Sequence, residues 1–133
     1  MHDRPTTDEL LRAVELLLDE QLVPALEGSR KYNARVAANV IRTVRRELQH
    51  EERQLDSEWR GLDILLGPAQ RPPTLHATKQ QLIERNRDLA ARIETGDADS
   101  GRFRELTLAH VRDTVHAKLE VSDPSWLREP SVG

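Results

Sequence analysis

Cysteine is absent from the 133-residue chain, which excludes disulfides, thiolate metal sites and cysteine nucleophiles. Aromatic residues are 3% of the total, so any core has to be assembled from Leu, Val, Ile and Ala. Long apolar runs are missing as well. The opening MHDRPTTDE has no apolar signal core, and nothing approaches the ~20 apolar residues of a membrane helix. Neither export nor a membrane span is therefore expected, and a bacterial-type cytoplasm is the default location. Nor is charge of one sign in excess. Lys and Arg number 20 against 23 Asp and Glu, a formal net of −3, which gives no bulk electrostatic support for nucleic-acid or anionic-membrane binding. Gly-rich phosphate loops, a GxSxG elbow and HExxH do not occur, so the sequence declares no reaction and implies no cofactor.

What the chain has in quantity is charged residues, 32%, interleaved with aliphatics at helical spacing. The expected fold class is all-α: a single-domain bundle of about five helices with short connections, and residues 122–133 as an extended C-terminal tail. Its most regular stretch is residues 30–48, RKYNARVAANVIRTVRREL. At 100° per residue Val36, Ala37, Val40, Ile41, Val44 and Leu48 share one face, and Arg35, Asn39, Arg42 and Arg46 line the opposite one. The aliphatic edge is expected to be hidden against other helices, Val36, Val40 and Val44 above all.

The first helix precedes that stretch. Thr7 is its expected N-cap, Asp8 and Glu9 favour its positive end, and Leu10, Val14, Leu17, Leu18 and Leu22 form its inward stripe. Pro24 should kink or end it, and Gly28 should turn the chain into an antiparallel neighbour. Charge agrees with that pairing. Residues 1–27 hold seven acids against two arginines, whereas residues 30–53 hold seven Lys and Arg against three glutamates. Residues 49–52 either continue the second helix or break it. A third helix follows, with Leu55, Trp59, Leu62 and Leu66, and stops at Gly67-Pro68. A fourth covers about residues 74–95, with Leu75, Leu82, Leu89, Ala90 and Ile93 inward and Gly96 as its C-cap. The fifth, about 102–121, places Leu108, Val111, Val115 and Leu119 on one face, with Phe103 and Leu106 as a smaller strip. Trp126 and Leu127 of the tail are candidates to fold back. About twenty inward aliphatics, at roughly 1.5–3 kcal/mol each, offset chain entropy with little surplus, which leaves room for a homodimer.

Three polar features stand out. The stripe Arg35, Asn39, Arg42, Arg46 can bind phosphates or a partner's carboxylates by bidentate bonds, or it is a solvated face neutralised by the first helix. Asn33 and Asn86 each fall on the apolar face of their helix, where an amide either fixes helix register or lines a ligand pocket. Among His2, His50, His76, His110 and His116, Glu47-x-x-His50 has the spacing of a carboxylate-bridged metal site but lacks its second copy, so no metal is expected. His110 with Thr114 and Lys118 makes a polar strip, either simply exposed or lining a cleft.

The stretches DRPTTDELLRAV, VPALEGSRKYNARVAANVIRTVRREL and LTLAHVRDTVHAKLEVSDPSW, in that order, carry a resemblance. The heaviest motif is Ala34-Arg35-Val36-Ala37-Ala38-Asn39-Val40 with Arg45, Arg46 and Glu47 after it. The chain resembles an uncharacterised bacterial family of small helical proteins of unknown function, with residues 49–73 its variable part. Members of that family are encoded beside, or fused to, aminoglycoside-phosphotransferase-like kinases, often near acyl-CoA dehydrogenases. The resemblance transfers no catalytic residue. It implies an accessory protein whose partner is the kinase-like or acyl-CoA enzyme, and the basic, regular surface of the second helix, or the tail, is the expected docking face. The alternative is a binder or enzyme for an anionic, phosphate- or CoA-like ligand, with a pocket near Asn33, Asn86 and His110.

Overall fold

The computed structural model describes residues 3–128. It is all-α, and no strand occurs among those residues. Helix α1, Thr7–Leu16, continues as a π-helical turn, Leu17–Leu22, and one last turn, Val23–Ala25. Helix α2 is Gly28–Leu66, α3 is Leu75–Glu94 and α4 is Gly101–Ser122; Pro124–Leu127 forms a 3-10 turn. Residues 129–133 of the expected tail lie outside the described residues. The second and third expected helices are one rod of 39 residues. Between Ser29 and Leu66 the chain holds no proline and a single glycine, Gly61, so nothing at residues 49–52 interrupts the ladder. The α1 cap is Thr6, one residue earlier than expected, whose side chain accepts from the Glu9 amide at 3.2 Å. The widened turn at Leu17–Leu22 lies just before Pro24, where a proline ring would otherwise press on the carbonyl four residues back.

Contacts gather into two compact units: the residues up to His50 together with those from Glu120 onward, and Glu51–Leu119. The second unit owns the core. Trp59, Leu62 and Leu65 from α2 pack with Leu82 and Leu89 from α3, and Phe103 and Leu106 from α4 close against them. Two arginines serve this core as aromatic covers. Arg85, itself buried, lies 4.7 Å over the Trp59 ring while its guanidinium binds Asp63 Oδ1 and the Gly67 carbonyl, each at 2.9 Å. Arg92 lies 4.3 Å over Phe103 and donates to the Leu65 carbonyl at 2.9 Å. Gly67 ends α2 in the left-handed region, φ 92°, with its amide donating to the Asp63 carbonyl. Thr74 then caps α3 by accepting from the Ala77 amide at 3.2 Å.

Several inward faces differ from expectation. On α4 the strip Leu108, Val111 and Val115 is exposed, and the inner face is Phe103, Leu106, Thr107 and His110. On α3 Leu82 and Leu89 are inside, but Leu75, Ala90 and Ile93 are exposed; the other inner positions are Thr78 and Arg85. The first unit departs furthest. Val36, Val40 and Val44, with Leu48, Leu10, Val14 and Leu17, remain 36–55% exposed. The buried apolar residues of that unit are Ala34 and Ala38. The reason is electrostatic: α1 and α2 meet along their charged edges, described below, and that rotation turns the aliphatic edges away from the contact. Near the C-terminus, Leu127 is half-buried and Trp126 is exposed.

Leu62 is fully buried at the centre of the second unit. Leu62→Ala should therefore cost about 2–5 kcal/mol in urea-induced unfolding, whereas Val111→Ala on the exposed α4 strip should cost well under ~1 kcal/mol.

Candidate functional site

The arginine stripe does not act as a unit. In the first unit Arg42 donates from Nε to Glu15 Oε1 at 2.9 Å, from Nη1 to Asn39 Oδ1 at 2.6 Å, and from Nη2 to Asp19. Arg45, outside the expected stripe, bonds Asp8 Oδ1 at 2.8 Å and Asp8 Oδ2 at 3.1 Å, and reaches Glu15 Oε2 at 2.7 Å. Glu15 thus bridges both guanidiniums. The hydrogen bonds and charge of Arg45 hold the Asp8 carboxyl below its usual range, and Asp8 and Glu15 raise Arg45 in turn. Arg46 points elsewhere, donating to the Val121 carbonyl at 2.7 Å and to Thr43 Oγ1 at 3.2 Å. Arg35 is exposed and makes no ion pair among the described residues. The acid excess of the N-terminal segment signals this pairing; which arginines it takes is not readable from spacing alone.

Beside Arg46 the chain builds a groove of about 400 Å³ between α2 and the C-terminal turn, lined by Asn39, Arg42, Thr43, Arg46, Asp123 and Arg128 among others. The turn is held by Asp123, whose Oδ1 accepts from the Ser125 amide at 3.1 Å and from the Ser125 hydroxyl. Those bonds, with the nearby Arg46 charge, lower the Asp123 carboxyl.

The second polar place lies in the other unit, between the C-terminal half of α2 and α4. A cleft of about 210 Å³ is lined by Gln54, Ser57, Glu58, Gly61, His110, Asp113, Thr114 and Lys118 with several aliphatics. The strip His110, Thr114 and Lys118 therefore borders this cleft. His110 is 8% exposed, and its ring rests directly on Gly61. A Cβ at position 61 would come within 2.7 Å of the His110 Cε1, so glycine is what lets the imidazole approach α2. Glu58 is oriented from α3, accepting from Asn86 Nδ2 at 2.8 Å, while the same amide donates to the Leu82 carbonyl at 2.9 Å. Gln54 Nε2 donates to the Ala117 carbonyl at 2.9 Å. On the same helix as His110, Thr107 Oγ1 is buried with no hydrogen-bond partner among the described residues.

Burial lowers the His110 pKa, opposed by the charges of Glu58 and Asp113. A neutral imidazole beside two carboxylates can accept or donate one proton, and the charge around it suits a cationic or hydrogen-bond-donating ligand better than a phosphate. Asn86 thus serves this cleft through Glu58, but Asn33 does not: it is exposed on α2, in the first unit. Glu47 and His76 are exposed and His50 is half-buried; His2 lies outside the described residues. No group of three or more His, Asp or Glu able to hold a metal ion forms among the described residues. No helix among them is long and apolar enough to cross a membrane.

Residues 24–126 match the family described as Domain of unknown function (DUF6285), and the chain belongs to it. No curated protein and no solved structure matches the chain.

Because His110 is held neutral by burial, folding excludes a proton that the unfolded chain takes up near its ordinary value of 6.5. Stability from this residue is complete above that value and is lost as pH falls through it toward the lowered folded value. The melting temperature should therefore drop as pH is lowered from roughly 7.5 to 5.5, and His110→Gln should flatten that part of the profile.

Proposed function

We propose that this member of the family is a non-catalytic accessory protein that docks on an enzyme through the groove between α2 and the C-terminal turn. The observation that carries the reading is Trp126. It is 76% exposed, yet it stands on a turn fixed by Asp123 and tied back to α2 through the Arg46 bond to Val121. A large aromatic presented on a pinned segment, next in sequence to Pro124 and Ser125 of a groove whose lining also includes Arg46 and Arg128, has the make-up of a binding hot spot rather than of a solvated tail. The arginines favour a partner surface that offers carboxylates around an apolar socket. The partner class follows from the family resemblance: an aminoglycoside-phosphotransferase-like kinase, or an acyl-CoA-metabolising enzyme encoded with it. A cytoplasmic setting goes with that partner.

A second reading is favoured by the His110 cleft, whose buried imidazole and Asn86-oriented Glu58 form a polar recess suited to a small ligand. The two carboxylates there weigh against the phosphate- or CoA-like ligand that the arginine stripe suggests by itself. Such a ligand would have to sit against Arg35 and Arg46, because Arg42 is already saturated by Glu15, Asp19 and Asn39.

Co-expression of the tagged chain with the neighbouring kinase-like or acyl-CoA enzyme should co-purify the two. Trp126→Ala should weaken that complex by more than about tenfold, a loss above about 1.4 kcal/mol, with an unchanged melting temperature. Recovery of the wild-type chain alone would remove the docking reading. Retention of the complex by Trp126→Ala but not by Arg46→Ala would move the contact away from the turn.

A further inference from the structure

We infer that the cleft between the C-terminal half of α2 and α4 binds a small organic primary amine, whose ammonium sits between Glu58 and Asp113 and whose aliphatic stem runs along Ile64, Leu65 and Leu106. This rests on the His110 cleft taking a small ligand, and is independent of docking through the C-terminal turn.

Register places the two carboxylates. Gln54 on α2 donates to the Ala117 carbonyl of α4 at 2.9 Å, and Gly61 meets the His110 ring. Seven residues separate Gln54 from Gly61 and seven separate His110 from Ala117, so the two helices run antiparallel and Glu58 stands level with Asp113 across the cleft. Like charges brought level from different helices repel, and a cation between them turns that cost into a gain. Glu58 is already oriented: the Asn86 amide of α3 donates to its Oε1 at 2.8 Å, which leaves Oε2 for a ligand. Asp113 is exposed and makes no ion pair among the described residues. By the same register Leu65 stands level with Leu106, one turn beyond Gly61, so the cleft is acidic at one end and aliphatic at the other.

The imidazole is an independent mark of a ligand. His110 is 8% exposed and part of the lining, yet its ring makes no hydrogen bond among the described residues. A buried polar group left so is a cost to the fold, and an N–H donor in the cleft removes it. Burial keeps the ring below its ordinary 6.5 against the opposing charges of Glu58 and Asp113, so near neutral pH it is an acceptor and not a competing cation. Lys118 stands on the exposed rim, one turn past Thr114, and leaves the lining net negative. Other ligand classes fit less well. A phosphate or carboxylate meets two like charges. An inorganic cation lacks ligands, since no group of three or more His, Asp or Glu able to hold a metal ion forms among the described residues. A neutral apolar molecule leaves both carboxylates and the imidazole unmet. A primary ammonium has three N–H groups, and Glu58, Asp113 and His110 are three acceptors. The cleft, about 210 Å³, exceeds the ~150 Å³ that holds a benzene ring, so it has room for a stem of roughly four or five carbons.

Titration of n-pentylamine into the wild-type chain at about pH 7.5, followed by NMR, should shift the resonances of Gly61 and of the His110 ring with a dissociation constant on the order of millimolar. The neutral and anionic counterparts, n-pentanol and valerate, should bind at least roughly tenfold more weakly. Asp113→Asn changes an exposed residue and should weaken the amine about tenfold at an unchanged melting temperature. Glu58→Gln keeps an oxygen for Asn86 and should do the same, and neither substitution should alter the response to n-pentanol. Saturation with the amine should also lower the His110 pKa further, whereas n-pentanol should leave it in place, a coupling that a merely structural ring would not show. Equal binding of n-pentylamine and n-pentanol would overturn the amine assignment and leave the cleft as a small-ligand site. No shift at Gly61 or His110 with any of the three would remove both. Amine binding that survives both substitutions, or that calcium chloride matches, would overturn the assignment too.

Discussion

The contact on which the first unit depends is the bridge of Glu15 between Arg42 and Arg45, with Asp8 and Asp19 at its ends. About three helical turns of α1 are fixed against α2 by charge-assisted bonds, and every one of those bonds uses the edge that separates polar from apolar faces. With that edge as the seam, Leu18 on the π-helical continuation of α1 and Ala37 and Ile41 on α2 are half-buried, whereas Leu10, Val14, Val36, Val40 and Val44 stay exposed. Helices that met through Leu10, Val14 and Leu17 would hide their valines and leucines and leave the arginines in water; the paired acids reverse that choice. Removing Glu15 would leave two guanidiniums sharing fewer partners, which makes it the residue whose loss should most loosen the hairpin.

The second unit is built on another principle. Its core is complete, but it is short of aromatic and large aliphatic side chains, and long cationic side chains make up the difference. Arg85 and Arg92 lay their stems along apolar neighbours and their planar heads over Trp59 and Phe103, while carbonyls at Gly67 and Leu65 accept their hydrogen bonds. Each such bond also ties α3 to the end of α2. The same unit encloses His110, where the absence of a side chain at Gly61 matters as much as any group present.

Helix ends are legible in the sequence where the stop signals are strong: Gly67-Pro68 and Gly96 fall where rods end, and Pro24 stands in the last turn before one, whereas residues 49–52 give no mark of the continuous rod Gly28–Leu66. The faces are legible only in part, and the failures share a cause. Periodicity shows that Leu108, Val111 and Val115 lie together, but not whether they meet the chain's own core, and the true inner face of α4 carries Thr107 and His110. On α3 the spacing Thr78, Leu82, Arg85, Leu89 already traces one face, but an arginine at its centre reads as solvent-facing until a ring is found beneath it. The cleft is half visible: His110, Thr114 and Lys118 are one strip on one helix, whereas Gln54 and Glu58 come from a residue range with no sequence relation to it. Asn33 and Asn86 look alike in pattern and differ in fact, because Asn86 faces a neighbouring helix and Asn33 faces outward.

That difference bears on how the chain completes its fold. A buried polar group is tolerable only when satisfied, and Asn86 is satisfied twice, by Glu58 and by the Leu82 carbonyl. An aliphatic strip is tolerable in water only when it is small, and the strip that ends at Asn33 extends over two helices. Both units leave aliphatic strips in water, Val36, Val40 and Val44 on α2 and Leu108, Val111 and Val115 on α4, but the large buried side chains gather in the second. The ion pairs along the seam occupy Asp8, Glu15 and Asp19 with Arg42 and Arg45, while Glu47 stands exposed on the same side of α2 as Val40 and Val44.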